Sequence, residues 1–411
     1  MTPDRAARVL MVLAIGCEPA RVAPRTPPPP TDEDVAPQRD PRRRCATRAA
    51  PPEVLVDGAE IGGVALAWNG THFGVAWGDR IDGERAVRFV RVREDGARLG
   101  SPLRVSEPRT EAESPSLTWN GTSWVIVWSG GLRDVGDIYQ ARVDPRGGAA
   151  GRPWRMTRGE ARRDLEPKIV STAQGFGLAW VAREASGRWS LYGQALDRFD
   201  APRASPARLL DTSITLGETS LVWTGAHWGV GALGSRREVL AVDFARMDPR
   251  GVAHGSLTRL TPSSIGGVDT RGRYALAWDG TGYVVAWSEV RDGASHVFVR
   301  HADPRGRLTA TPIDLREQAE SDEAPALVGL GEGVAAVAWQ VSRDGRSRIR
   351  VRTLEATGRL QEEPVELQDH DGRAGRPFLA ASGERAAVIS ATARALTFHP
   401  VTLGPCERRA P

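Results

Sequence analysis

Residues 114–160 read SPSLTWNGTSWVIVWSGGLRDVGDIYQARVDPRGGAAGRPWRMTRGE. Trp119 ends a short run that is followed by Asn120-Gly121, and a two-residue hairpin needs φ > 0 at positions where Gly and Asn are tolerated. The next segment, WVIVW at 124–128, is apolar at every position and reads as a strand buried on both faces. A polar loop then leads to a third strand, DIYQARV at 137–143, which stops at Asp144-Pro145-Arg146-Gly147, where Pro presets φ and Gly closes the turn. A short fourth strand follows. In several copies it opens at a proline, which suits a sheet edge.

This unit recurs down almost the whole chain at a period of about 52 residues, the signature of a radially repeated β-architecture. First-strand tryptophans stand at Trp68, Trp119, Trp223 and Trp278, followed by Asn-Gly, Asn-Gly, Thr-Gly and Asp-Gly. The second strands read FGVAW, WVIVW, FGLAW, WGVGAL, YVVAW and VAAVAW. Their closing tryptophan recurs at Trp77, Trp128, Trp180, Trp287 and Trp339, and one copy, assigned to Leu233, lacks it. Asp-Pro-Arg-Gly turns recur at 144–147, 248–251 and 303–306. Six units are complete. A seventh starts at Pro377 and stops after three strands, while Pro52–Asp57 near the other end resembles the fourth strand at Pro102–Ser106. Pairing the two ends leaves no open sheet edge. The sequence therefore predicts an all-β fold over 51–406: a seven-bladed β-propeller of four-stranded blades, with the N-terminal strand completing the last blade.

Thirteen Trp against four Tyr fits a recurring core slot. The formal charge is +4, but Lys168 is the only lysine, and Arg and acidic residues alternate through every unit rather than clustering on one face. That pattern excludes a nucleic-acid partner. Residues 1–17 carry Arg5 and Arg8, then a short apolar run, and end in Ala14-Ile15-Gly16-Cys17, a secretory signal with a lipobox-like end that marks Cys17 for lipidation. Residues 18–50 are rich in proline and mixed charge and read as a disordered tether, including a solvated Arg42-Arg43-Arg44 run, and 407–411 as a disordered tail. Only Cys45 and Cys406 remain once Cys17 is assigned. In an exported chain they are expected to form a disulfide that clasps the ring where its two ends meet.

The pattern W-x-G-x-x-W/Y-x-V-x-W, followed by D-I-Y-x-x-R-V and a D-P-x-G turn, resembles secreted bacterial propeller-repeat proteins, many of them lipoproteins. The resemblance covers about 54–403 and implies an exported β-propeller. It implies no catalytic residue, because the shared motifs are structural.

In such a ring the loops that enter each first strand gather at one mouth of the central channel, a usual place for binding on a rigid scaffold. Glu113, Glu166, Glu218 and Glu323 stand just before first strands, with Arg273 and Arg376 at related positions, and are the candidate ligand-binding residues. Asp369-His370-Asp371 lacks a second His or Cys nearby, so no metal is expected, and no cofactor motif is present. Ser342-Arg343-Asp344-Gly345 lacks the Thr-Trp ending of an Asp box, and Asn69-Gly70-Thr71 and Asn120-Gly121-Thr122 read as turns rather than glycan acceptors. The expected role is a noncatalytic, lipid-anchored binding or scaffold module of the cell envelope, with the membrane, a glycan or an envelope protein as partner. The alternative is an envelope carbohydrate-active hydrolase or lyase using carboxylates at the channel mouth. A third possibility is a subunit of a larger envelope assembly.

Overall fold

A computed structural model describes residues 43–45, 48–81, 83–131, 136–158, 162–212, 216–236, 239–261, 274–317, 320–360, 363–383, 385–403 and 406–408. Within it the turn signals are held by their own side chains. Asn69 Oδ1 accepts the backbone N–H of Thr71 at 2.9 Å and of His72 at 2.7 Å. Asn120 does the same for Thr122 and Ser123, and Asp279 for Thr281 and Gly282. Gly70, Gly121 and Gly280 follow at φ of +99°, +95° and +98°, a region closed to most side chains. At the Asp-Pro-Arg-Gly turns, Asp144, Asp248 and Asp303 each accept the N–H two residues on, at 2.7, 2.8 and 2.8 Å.

Between these turns the chain forms seven antiparallel sheets, six of them built from four consecutive strands each and the seventh from strands at both ends of the chain. The inner strands are Glu60–Trp68, Glu113–Trp119, Arg162–Thr172, Leu216–Trp223, Tyr274–Trp278, Ser321–Gly331 and Arg376–Ser382. Each packs against the inner strand of the next blade, and the last packs against the first, so the seven-bladed β-propeller is a closed ring.

The closing blade is shared by the two ends of the chain. Glu53–Asp57 pairs with Ala395–Thr402, placing Glu53 opposite Phe398 and Val54 opposite Thr397. Leu55, 3% exposed, joins Val75, Trp77 and Phe398 in one core cluster. Pairing continues toward the N-terminus, with Arg48 opposite Thr402 and Ala49 opposite Val401. A two-stranded ladder of Arg43–Cys45 with Cys406–Arg408 then sets Cys45 opposite Cys406. Strand pairing thus starts at Arg43, ahead of residue 51, and runs to Arg408. The predicted signal, Cys17 and residues 18–42 of the tether lie outside the described residues.

The core lies between blades. Val87 and Phe89 of the first blade pack with Trp124 and Ile126 of the second, and equivalent clusters repeat round the ring. Trp77, Trp128, Trp180, Trp287 and Trp339 are all 0–1% exposed. The copy that lacks tryptophan is Ala232, not Leu233. Ala232 faces Asp243 across the ladder as Trp128 faces Tyr139 and Trp287 faces Phe298, and the period of two turns Leu233 to the opposite face. Glycine makes the blades fit closely. A Cβ on Gly74, Gly177 or Gly229 would lie 2.8, 2.6 or 2.5 Å from the next blade's Trp124, Trp228 or Tyr283 ring.

Candidate functional site

Five inner strands are irregular near their starts, between Ile61 and Val64, Glu113 and Ser116, Leu165 and Lys168, Leu216 and Thr219, and Glu323 and Ala326. Three of them carry proline, at Pro115, Pro167 and Pro325, which has no N–H to give the ladder. The residue before each proline turns left-handed: Ser114, Glu166 and Ala324 have φ of +52°, +51° and +52°. All these bulges lie at the same mouth, opposite the tryptophan hairpins. They also separate the predicted glutamates into two kinds. Glu113 and Glu323 stand before their bulges, whereas Glu166 and Glu218 stand inside theirs, so their side chains leave the strand in different directions.

The partners differ accordingly. Glu113 lies between two guanidiniums, with Oε2 on Arg85 Nη1 of the first blade and Oε1 3.3 Å from Arg163 Nη2 of the third. Glu166 Oε1 accepts the Ser114 hydroxyl at 2.8 Å. Glu218 pairs with Arg376 Nη2. Those two belong to the fourth and seventh blades, which are not neighbours, so the ion pair crosses the axis of the ring. Glu323 lies opposite Gln340 on the sixth blade, and Arg273 lies outside the described residues. The predicted set therefore does not converge on one point. It divides into a bridge over the channel and a cluster around Glu113, with Glu323 apart on the sixth blade.

The Glu113 cluster borders a cavity of about 340 Å³ at the rim of the first three blades. Arg80, Arg85 and Arg163 line it together with Glu111, Glu113 and Asp164, while Gly130, Gly131 and Gly136 leave one wall as bare backbone. Leu165 is the single large apolar side chain among the lining residues. Arg80 is tied by Nη1 to the Gly83 carbonyl at 3.2 Å and lies 3.8 Å from Glu60.

Asp164 is a residue that sequence reasoning missed. It is fully buried, and burial pushes its carboxyl above the usual range against the opposing pull of a Thr157 hydrogen bond and the Arg162 guanidinium, whose Nε lies 2.9 Å away. Asp322 holds the equivalent position in the sixth blade and is also fully buried. Burial raises it to about 6, against the attraction of Arg350, with Glu320 and Asp314 adding repulsion. Among the described residues neither carboxylate oxygen of Asp322 has a hydrogen-bond partner. The shared spacing Asp164-x-x-Pro167 and Asp322-x-x-Pro325 is the signal that could have found both.

Asp369 is engaged otherwise than as a ligand. His399 Nε2 lies 2.8 Å from its Oδ1, and the Ser390 hydroxyl donates to its Oδ2 at 2.7 Å. Because the hydroxyl bonds the carboxylate and not the imidazole, the trio lacks the proton path of a nucleophilic triad. Among the described residues no group of three or more metal-ligating side chains comes together.

No protein-family model matches the chain, and none of the curated proteins matches it. Solved structures that resemble it include the β-propeller domain of the Trilobed protease from Pyrococcus furiosus, at 11% identity and a TM-score of 0.48 over 86% of this chain and 98% of that one. A neuraminidase-like protein from A/bat/Guatemala is similar at 10% identity and a TM-score of 0.48, over 89% and 97%. Pyrococcus horikoshii acylaminoacyl peptidase is similar at 11% identity and a TM-score of 0.47, over 85% of this chain and 53% of that one. Such distant likenesses say nothing of this chain's chemistry.

Proposed function

We propose that the chain is a noncatalytic binding or scaffold propeller of the cell envelope, which engages its ligand at the bulged mouth of the ring. The observation that carries this reading is the polar cavity of about 340 Å³ beside a channel that the Glu218–Arg376 pair crosses. A ligand enters from the rim and does not pass through the axis. A lipid on Cys17 holds the ring at a membrane through the proline-rich tether, and a Cys45–Cys406 disulfide fastens its ends. Support for the fastening comes from the opposed register of the two cysteines on neighbouring strands, whose spacing of about 5 Å suits a disulfide.

A second reading, a carbohydrate-active hydrolase, draws on Asp164 and Glu113, two carboxyls that line one cavity, of which burial raises the first above its usual range, since glycoside hydrolysis uses a pair of carboxyls in different environments. Incubating the purified protein with envelope polysaccharides, and following both retention and released fragments by mass spectrometry, separates the two. Retention without fragments supports the binding role. Fragment release that Asp164→Asn abolishes would overturn it in favour of the enzyme.

A further inference from the structure

The cavity at the rim of the first three blades has an arrangement of charge that points to the class of its ligand, provided the mouth is a binding site as proposed above. Arg85 and Arg163 reach toward it from the first and third blades, and both bond the one carboxylate of Glu113. A guanidinium presents five N–H donors in a planar fork, and here each of the two gives Glu113 one bond. Glu111 Oε2 stands 3.9 Å from Arg85 Nε, too far for a hydrogen bond. The side chains of Arg85 and Arg163 are 40% and 43% exposed, so their remaining donors are open to an incoming molecule. Arg80 adds a third guanidinium. Asp164 offsets little of this charge at the cavity, because Arg162 already pairs with it.

From this geometry we infer that the cavity takes a carboxylate-bearing sugar of monosaccharide size, a uronic-acid type, whose carboxylate inserts between Arg85 and Arg163. The carboxylate matches the guanidinium forks. A hydroxylated ring matches the rest of the wall, where the Glu111 carboxylate offers acceptors and Gly130 and Gly131 present backbone without side chains, so that the surface is more polar than apolar. The volume, near the low end for ligand sites, fits one sugar unit and not a peptide. Glu113 acts as an internal stand-in that holds the two arginines apart until the ligand displaces it.

The test is isothermal titration of glucuronate, glucose, inorganic phosphate and calcium chloride into the full chain and into Arg163→Gln, Arg85→Gln and Glu113→Gln, with thermal melts to confirm folding. Glucuronate should bind, glucose about tenfold or more weakly, and either arginine variant should lose about tenfold in affinity. Glu113→Gln removes the internal competitor and should tighten glucuronate severalfold, an outcome that a merely structural Glu113 would not give. If glucose, phosphate or calcium binds as well as glucuronate or better, and the rim variants abolish that binding, the sugar-acid inference fails while the binding mouth stands. If none of the four binds, or binding ignores all three variants, both fail.

Discussion

At the scale of single residues, the chemistry of this ring is set by burial. Among the described residues nothing hydrogen-bonds either oxygen of Asp322, and burial raises it to about 6, above the ordinary aspartate value of about 3.9. Between those two values the folded state binds more protons than the unfolded one. Stability is therefore greatest below the window and falls as pH rises through it. Asp322→Asn should flatten that slope and raise stability at neutral pH by on the order of 2–3 kcal/mol, read from urea unfolding at several pH values. An unchanged slope in the variant would show that other groups dominate. The tryptophan slots could be read from sequence because a large aromatic at a fixed period has few other uses. Asp164 and Asp322 share only the Asp-x-x-Pro spacing, which marks the position but not the burial, since an aspartate near a loop looks solvated in sequence.

At the scale of elements, glycine serves two purposes that a sequence does not distinguish. Gly329, on the inner strand of the sixth blade, passes so close to the fifth that a Cβ would fall 1.8 Å from the Trp278 carbonyl oxygen. Gly345 has open space around it but sits at φ of +74°. Gly329→Ala should thus cost roughly 3 kcal/mol or more through backbone displacement, and Gly345→Ala about 1 kcal/mol through its dihedral alone. Denaturant midpoints of the two variants check this ordering, and equal losses would contradict the close approach. The bulges show the same limit. Pro115, Pro167 and Pro325 are plain in the sequence, but the inner strands start earlier than expected: Glu113, Glu166, Glu218 and Glu323, expected just ahead of first strands, lie within them. The extra residue that sends Glu166 toward Ser114, and leaves Glu113 between Arg85 and Arg163, depends on a register that only pairing with the second strand fixes.

At the scale of the whole molecule, closure is the property on which the ring depends, and it was the most legible feature of all. Counting strands left the seventh blade one short and placed its missing member at Pro52–Asp57, where pairing with Ala395–Thr402 now stands. Removing the chain through Asp57 strips Leu55 from the cluster that holds Trp77 and Phe398 and exposes an unpaired edge. The truncated protein should unfold at lower denaturant and bind a hydrophobic dye that the full ring excludes. Equal midpoints would mean that the N-terminal strand is not needed for closure. The site was less legible than the ring, because residues from blades distant in sequence meet only after closure, as Glu218 and Arg376 do.

The proposed fastening of that closure would restrict an unfolded loop spanning nearly the whole propeller, worth up to roughly 5 to 6 kcal/mol in the entropic account. Peptide mass spectrometry of the nonreduced mature protein, purified from its own membrane fraction, tests the account most directly. It should find Cys45 crosslinked to Cys406 and an acylated Cys17 at the new N-terminus. Free thiols at both positions with an unmodified N-terminus would contradict the clasped and tethered ring.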